Sequence, residues 1–186
     1  MRSMTAVALI TFPMILACGG GAPDLAAPNT FSEAGVSFSY PGNWSVEREP
    51  DVVDGIPMQT ITVSTANDGI LNILSYKGQM AMTSTSFADT MMAELPVAMH
   101  DLMGDSMEFR VRATSTTTRT IAGAPVIGDR RAFSLVLFGV DVPHTFEVFT
   151  VRTASHHVVL YQQVSDEELV GDEAGFDFVY STLKVD

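Results

Sequence analysis

The period of the hydrophobic pattern changes three times along this chain, and those changes constrain the fold more than any other feature. Four stretches read as strands, each an alternating or β-branched run: Gly35–Tyr40, Trp44–Glu47, Met58–Thr65 and Ile70–Tyr76. Pro41-Gly42-Asn43 and Asn67-Asp68-Gly69 punctuate them as turns, and Pro50 to Pro57 reads as a loop. The spacing then becomes helical: Phe87, Met91, Leu95, Ala98 and Leu102 share one face. Ser84, Thr85 or Ser86 can cap this helix, Pro96 should kink or split it, and Gly104 should end it. Alternation returns in Phe109–Ala113, and Thr114 to Thr120 stays β-prone but polar. After an interruption at Gly123-Ala124-Pro125, Ala132–Phe138 is an apolar run suited to a central strand. Gly139 to Pro143 turns the chain, and Thr145–Thr153 and Val158–Gln163 read as a hairpin. Ser165 and Glu168 then form a capping-box signal, followed by a helical stripe at Phe176, Val179, Tyr180 and Leu183. The order ββββ-α-ββββ-α predicts an α+β fold, an antiparallel β-sheet flanked by helices in an α/β/α sandwich.

Charge narrows the partners. The formal net charge is −12, and only 17% of residues are charged against 46% hydrophobic. Such a chain can bury a core. Its acidic surface repels phosphate backbones and it has no Lys/Arg cluster, so nucleic acid is not an expected partner. Docking on anionic lipid by charge is equally disfavoured, so membrane contact calls for an anchor.

The chain has one cysteine, Cys18. It cannot form an internal disulfide. Arg2 and the apolar run Met4 to Leu16 have the form of a secretory leader, too short and broken for a permanent span. Ile15-Leu16-Ala17-Cys18 resembles the bacterial lipobox, with an aliphatic residue three before the cysteine and a small one before it. Leu16 is bulkier than usual. The resemblance implies diacylglycerol transfer to the Cys18 sulfur and cleavage before it. The competing reading is ordinary leader cleavage nearby that leaves a free thiol. Residues 1–17 are thus expected to be a lipoprotein signal peptide, 18–30 a flexible tether and 31–186 the folded domain. The Gly- and Pro-rich tether reaches at most about 35–40 Å. Gly19 in place of an Asp resembles sorting signals for an outer membrane, where the host has two.

A wider resemblance covers residues 31–186. Phe31, then Gly35-Val36-Ser37-Phe38-Ser39-Tyr40-Pro41 and Trp44, resembles the opening of PsbP-like and DcrB-like domains. Phe176-Asp177-Phe178-Val179-Tyr180-Ser181-Thr182-Leu183-Lys184-Val185 is similar to their closing helix and tail. The family includes photosystem accessory proteins, envelope lipoproteins, a Ran-binding import factor and chaperones of secreted toxins. It implies an antiparallel sheet between helices that binds proteins and is not known for catalysis. No family active site carries over to this chain.

The remaining candidates for chemistry are weak. His156 and His157 are adjacent, so on a strand they point to opposite faces and cannot chelate together. At a hairpin end they read as solvent-facing. His144 should lie at the far end of the preceding strand, and His100 on a helix flank. Met80, Met82, Met91, Met92, Met99, Met103 and Met107 could fill a core, line an adaptable groove or hold Cu(I), and core filling is the simplest reading. Asp166, Glu167, Glu168, Asp172 and Glu173 lack the spacing of a calcium loop and read as capping and a solvated face. Asn43-Trp44-Ser45 matches a glycosylation sequon, but Trp44 reads as core. No nucleophile elbow, phosphate loop, dinucleotide fingerprint or zinc-spaced cysteines occur. The expectation is a non-enzymatic, lipid-anchored envelope protein. It has no catalytic, metal or cofactor residues, Cys18 takes a lipid, and another envelope protein is the partner. The alternatives are a carrier of an apolar small molecule or lipid, and a hydrolase with an unrecognised site.

Overall fold

The computed structural model describes residues 21–53, 56–77 and 82–186. Cys18 and the rest of the lipobox-like stretch lie outside these residues, as does Met80. The strands in chain order are β1 (Asn29–Glu33), β2 (Val36–Tyr40), β3 (Ser45–Val53), β4 (Ile56–Ser64) and β5 (Ile70–Lys77). Helix α1 (Ser84–Met103) and a short 3-10 turn follow. Then come β6 (Met107–Ile121), β7 (Ala124–Leu137), β8 (Val140–Arg152) and β9 (His156–Ser165). Helix α2 (Asp166–Thr182) and the two-residue β10 (Lys184–Val185) close the chain. Seven strands form one antiparallel sheet in the order β3-β4-β5-β9-β8-β7-β6, and β1, β2 and β10 form a second. The fold is α+β, with antiparallel sheets and helices as the alternating pattern implies.

Two apolar clusters lie on the two faces of the large sheet. On one, α1 contributes Phe87, Ala88, Leu95 and Met99 against Leu74, Phe133, Phe146, Val148 and Tyr161. On the other, α2 and the small sheet contribute Phe176, Val179, Tyr180, Val36 and Phe38 against Ile61, Ile73, Phe149 and Leu160. Alternate residues of each strand point to opposite faces, so one sheet serves both clusters.

Several elements differ from the sequence reading. Strand β1 was not expected, and it begins at Asn29 within the stretch read as tether. Ahead of it, Asp24 accepts from Gly42 N at 2.9 Å and donates its own N–H to Asn43 Oδ1 at 2.8 Å. The loop expected over Pro50–Pro57 is mostly strand. The interruption expected at Gly123–Pro125 and the turn over Gly139–Pro143 shrink to the pairs Ala122-Gly123 and Phe138-Gly139. Like Ala34-Gly35, these pairs have positive φ at both residues. That is the two-residue hairpin geometry whose twist matches the strands.

The prolines that suggested breaks all sit at the margins of the strand pairing. Pro50 lies on edge strand β3. Pro57 lies beyond the β4–β5 pairing, Pro125 beyond β7–β8 and Pro143 beyond β8–β9. Each therefore has a paired strand on one side only, the setting in which a sheet tolerates proline.

Helix α1 is capped by Thr83, one residue before the expected positions. Thr83 Oγ1 accepts from Ser86 N at 3.1 Å, and Ser86 Oγ accepts from Thr83 N at 3.0 Å. Ser84 and Thr85 instead donate to Asp129 Oδ2 at 2.9 and 2.8 Å. Pro96 does not split the helix, and Gly104 ends it with φ 60°. The buried face is rotated from the expected one: Ala88 and Met99 are buried, whereas Leu102 is 65% exposed. Steps of four residues overrun a 3.6-residue turn, so a stripe drawn that way drifts around the helix. Helix α2 follows its sequence signals. Ser165 Oγ accepts from Glu168 N at 3.2 Å, and Phe176, Val179, Tyr180 and Leu183 are all buried.

Gly175 lets α2 lie directly on Trp44. A Cβ there would fall 2.3 Å from the Trp44 ring, whose centroid is 5.2 Å from that of Phe176. At Gly171 the nearest atom to such a Cβ is Asn67 Nδ2 at 3.4 Å. Opposite outcomes are expected for one substitution in one helix. Gly171→Ala should raise stability by up to about 1 kcal/mol through helix propensity. Gly175→Ala should lower it by about 1–3 kcal/mol through overpacking. Urea unfolding of both variants checks this.

Candidate functional site

The residues singled out in the sequence do not converge. His156 and His157, expected to face solvent, are both buried, at 8% and 2% exposure. The hairpin end that carries them is covered from both sides. His157 Nδ1 is hydrogen-bonded to the Tyr76 hydroxyl at 2.5 Å on the α1 side. On the other side His156 lies under the β1–β2 turn, where a Cβ on Gly35 would fall 2.3 Å from its Nε2. His144 pairs with Ser165, eight residues along β8 from the His157 partner Arg152. It is buried and stacked on Phe133 at 5.3 Å, with Nδ1 2.9 Å from the Val142 carbonyl. His100 is on the exposed flank of α1. Met99 is buried, and Met82, Met91, Met92 and Met107 pack at the edge of the same cluster, so these methionines fill the core. Among the described residues, no three His, Cys, Asp or Glu side chains come together to hold a metal ion.

The acidic run divides. Asp166 and Glu168 belong to the α2 cap, but Asp172 is fully buried and not part of a solvated face. It accepts from Thr65 Oγ1 at 2.5 Å and Asn67 Nδ2 at 2.7 Å, pinning α2 to the β4–β5 turn. Burial pushes its carboxyl above the usual range, and those two bonds only partly offset it.

The most concentrated polar chemistry lies between α2 and the large sheet, and the sequence reading did not find it. Arg130, Glu147 and Gln162 are cross-strand neighbours on β7, β8 and β9. Glu147 and Gln162 are completely buried. Glu147 Oε2 accepts from Arg119 Nε at 2.9 Å and from Gln162 Nε2 at 3.2 Å. Tyr180 on α2 donates to Gln162 Oε1 at 2.8 Å. Arg119 also reaches Asp177 on α2 at 2.8 Å. Burial works against the Arg119 charge, but Glu147 and Asp177 outweigh it and raise its pKa. Burial raises the Tyr180 pKa well above the ordinary phenol range. The second oxygen of Glu147, Oε1, lies 3.7 Å from Arg130 Nη1 and lacks a hydrogen-bond partner. The other bonds tie Arg119 and Gln162 of the sheet to Asp177 and Tyr180 of α2, so the arrangement holds α2 in place. The signal in the sequence was Glu147 itself, a lone carboxylate inside Thr145–Thr153 flanked by Phe146, Val148 and Phe149.

An open depression of about 480 Å³ lies where the Ala34-Gly35 turn rides over the large sheet. Its polar lining includes Arg48, Gln59, Ser75, Lys77, His156 and Asp186. Arg48 is held by Glu33 at 2.6 Å, and Ser75 Oγ donates to the Ala34 carbonyl at 2.9 Å. The lining sets the cations Arg48 and Lys77 beside the acidic Asp186, so it has no single charge to offer. It offers no nucleophile aligned with a base, since the Ser75 hydroxyl is committed to the backbone. Met91 and Met99 lie elsewhere.

No protein-family model matches the chain, and no curated protein matches it. Solved structures that it resembles include the solution structure of cyanobacterial PsbP (CyanoP) from Synechocystis. That likeness has a TM-score of 0.48 and 14% identity, over 91% of this chain and 98% of that one. A protein of Bacteroides thetaiotaomicron gives 0.48 and 15%, over 90% of this chain and 49% of that one. LpqN, involved in cell envelope biogenesis of Mycobacterium tuberculosis, gives 0.46 and 10%, over 86% and 89%.

Two outcomes follow from the buried groups. Glu147→Ala should cost roughly 3 kcal/mol or more, because it leaves Arg119 and Gln162 without their shared acceptor. Adding Arg119→Met should recover a large part of that loss, and a double-mutant cycle in urea measures it. His144 supplies a pH dependence. Burial holds its folded pKa below the ordinary value, so the unfolded chain takes up a proton first. Its contribution is complete above an unfolded pKa of about 6.5 and declines as pH falls through that value. Unfolding free energies at pH 7.5 and 5 should differ less in His144→Phe than in the parent.

Proposed function

We propose that this chain is a lipid-anchored protein of the bacterial cell envelope whose domain is a non-catalytic accessory module that binds another envelope protein. The observation that carries the reading is Ile15-Leu16-Ala17-Cys18, a lipobox-like stretch that closes an apolar run and holds the sole cysteine. The domain offers no second thiol, so Cys18 has no partner in the fold. Among the described residues no helix is long and apolar enough to cross a membrane. Two or more acyl chains on Cys18 and its amino group would make the attachment stable, where one chain is marginal.

The ordered start of the domain sharpens the geometry. Asp24 is tied to Gly42 and Asn43 at the β2–β3 turn. Six residue steps separate it from Cys18, so a lipid there would hold this end of the domain within roughly 20 Å of the bilayer. The opposite end of β2, with the Ala34-Gly35 turn and the polar depression, would then face away from the membrane and toward a partner. The packing of Met91 and Met99 into the cluster under α1 supports this reading over that of a carrier.

Replacing Cys18 by Ala should release the protein from the membrane fraction and abolish incorporation of labelled fatty acid. A Cys18→Ala chain that stays membrane-bound with undiminished label would show the anchoring to be wrong.

A further inference from the structure

The two edges of the large sheet are unlike. Edge strand β3 is blunted by Pro50 and by Glu47, Arg48, Glu49 and Asp51, the devices that keep an edge from pairing. Edge strand β6 has no such protection over its middle. A bulge between Val111 and Ala113 interrupts its pairing, and beyond it Ala113–Thr118 carries neither charge nor proline. The stretch Arg110–Thr116 is exposed at every residue, on both faces. Only the last part of β6 curls away under α2, where Ile121 is buried and Ala122 N donates to the Tyr180 carbonyl. What remains is a polar, β-branched edge about 24 Å long with one side unpaired.

We infer that the Ala113–Arg119 edge of β6 pairs antiparallel with the same edge of a second copy of this chain, about a two-fold axis at Thr116. Several features select a second copy over an acidic segment of another protein. The arginines beside the edge have their charges spent within the chain. Arg110 is held by Glu108 at 2.6 Å, Arg112 by Asp166 at 2.8 Å and Arg119 by Glu147 at 2.9 Å. They leave little charge to recruit an acidic strand and little to repel a copy. The sequence is also complementary to itself. An axis at Thr116 sets Thr116 against its counterpart, Thr114 against Thr118, Ser115 against Thr117, and Ala113 against Arg119. Hydroxyl-bearing residues then face one another across the axis, a favourable cross-strand pairing, and no like charges are opposed. An isologous contact of this kind closes on itself and does not propagate. Seven residues of strand bury less than the ~1,200 Å² of a standard stable interface. The dimer is therefore weak and concentration-dependent in solution.

The single native cysteine makes the test direct. In the full chain carrying Cys18→Ala, any introduced cysteine is the only thiol, and the outcome does not depend on lipid attachment. Thr116→Cys places two sulfurs on the axis, where opposed Cα atoms stand about 4.5–5.5 Å apart and a disulfide can form. Thr114→Cys and Thr118→Cys each meet their own counterpart four residues away, about 13 Å, out of disulfide reach. Mild oxidation should give a reducible dimer from Thr116→Cys at least tenfold faster than from either neighbour. Mixing the Thr114→Cys and Thr118→Cys chains should restore it. Thr116→Lys opposes two charges at the axis and should weaken association in sedimentation velocity at least tenfold, with an unchanged melting temperature. A flat cross-linking profile, or a chain that stays monomeric at millimolar concentration, overturns the inference.

Discussion

The rest of the structure depends on the burial of β9 and β8 on both faces. From His156 to Tyr161 every residue of β9 is buried, and β8 is buried from His144 to Phe149 at all but its margins. Such strands cannot sit in a sheet with one wet face. They require a cover on each side, and the chain supplies two of different kinds. One is α1. It leaves β5 near the middle of the sheet and delivers the chain to β6 at its edge, four strand spacings or about 19 Å away. A helix of 20 residues spans about 30 Å, enough to cross that distance obliquely and bury one face. The other cover is α2 with the small sheet, whose strands come from the two ends of the chain. The large sheet is thus two local meanders, β3-β4-β5 and β6-β7-β8-β9, joined by the single non-local pairing of β5 with β9.

Polar groups under α2 follow from that architecture. A helix laid on an apolar sheet can slide or rotate at little cost, because burial is non-directional. Gln162 bonded to Tyr180, Arg119 bonded to Asp177, and Asp172 bonded to Thr65 and Asn67 each join α2 to the sheet side by directional bonds. The contact of Gly175 with Trp44 fixes its depth. These interactions together determine one position for the helix, and burying Glu147 and Asp172 is the energetic cost of that uniqueness.

What was legible in the sequence was local. The Ser165 cap, the stripe Phe176–Leu183, the Asn67-Asp68-Gly69 turn and the core place of Trp44 each follow from residues a few positions apart. Most of the misreadings depended on what lay alongside in the fold. Proline at 50, 57, 125 and 143 signals a break unless the neighbouring strand is absent at that point, as it is here. His156 and His157 look like hairpin-end residues until the β1–β2 turn and Tyr76 cover them. Strand β1, Asn29–Glu33, has a single apolar residue, Phe31, too little for an alternation of its own, and is a strand because β2 pairs with it. The fully buried Asp172 sits in a run of acids, and only the Thr65 turn beneath it distinguishes it from Glu173.

By itself, then, the sequence determined the class of fold and the local punctuation, because periodicity, caps and turns are properties of neighbouring residues. It also holds the lipobox-like stretch ending at Cys18, on which the proposed location rests. Only the tertiary structure decided which strands are central and which are edges, which polar residues are buried, and which face of α1 meets the sheet. Those are set by contacts between residues far apart in the chain, such as β5 with β9 or Arg119 with Glu147. The exposed edge of β6 belongs to the second group. A threonine-rich strand looks the same in the sequence whether it has one neighbour or two, and only the closure of the sheet leaves this one with an open side.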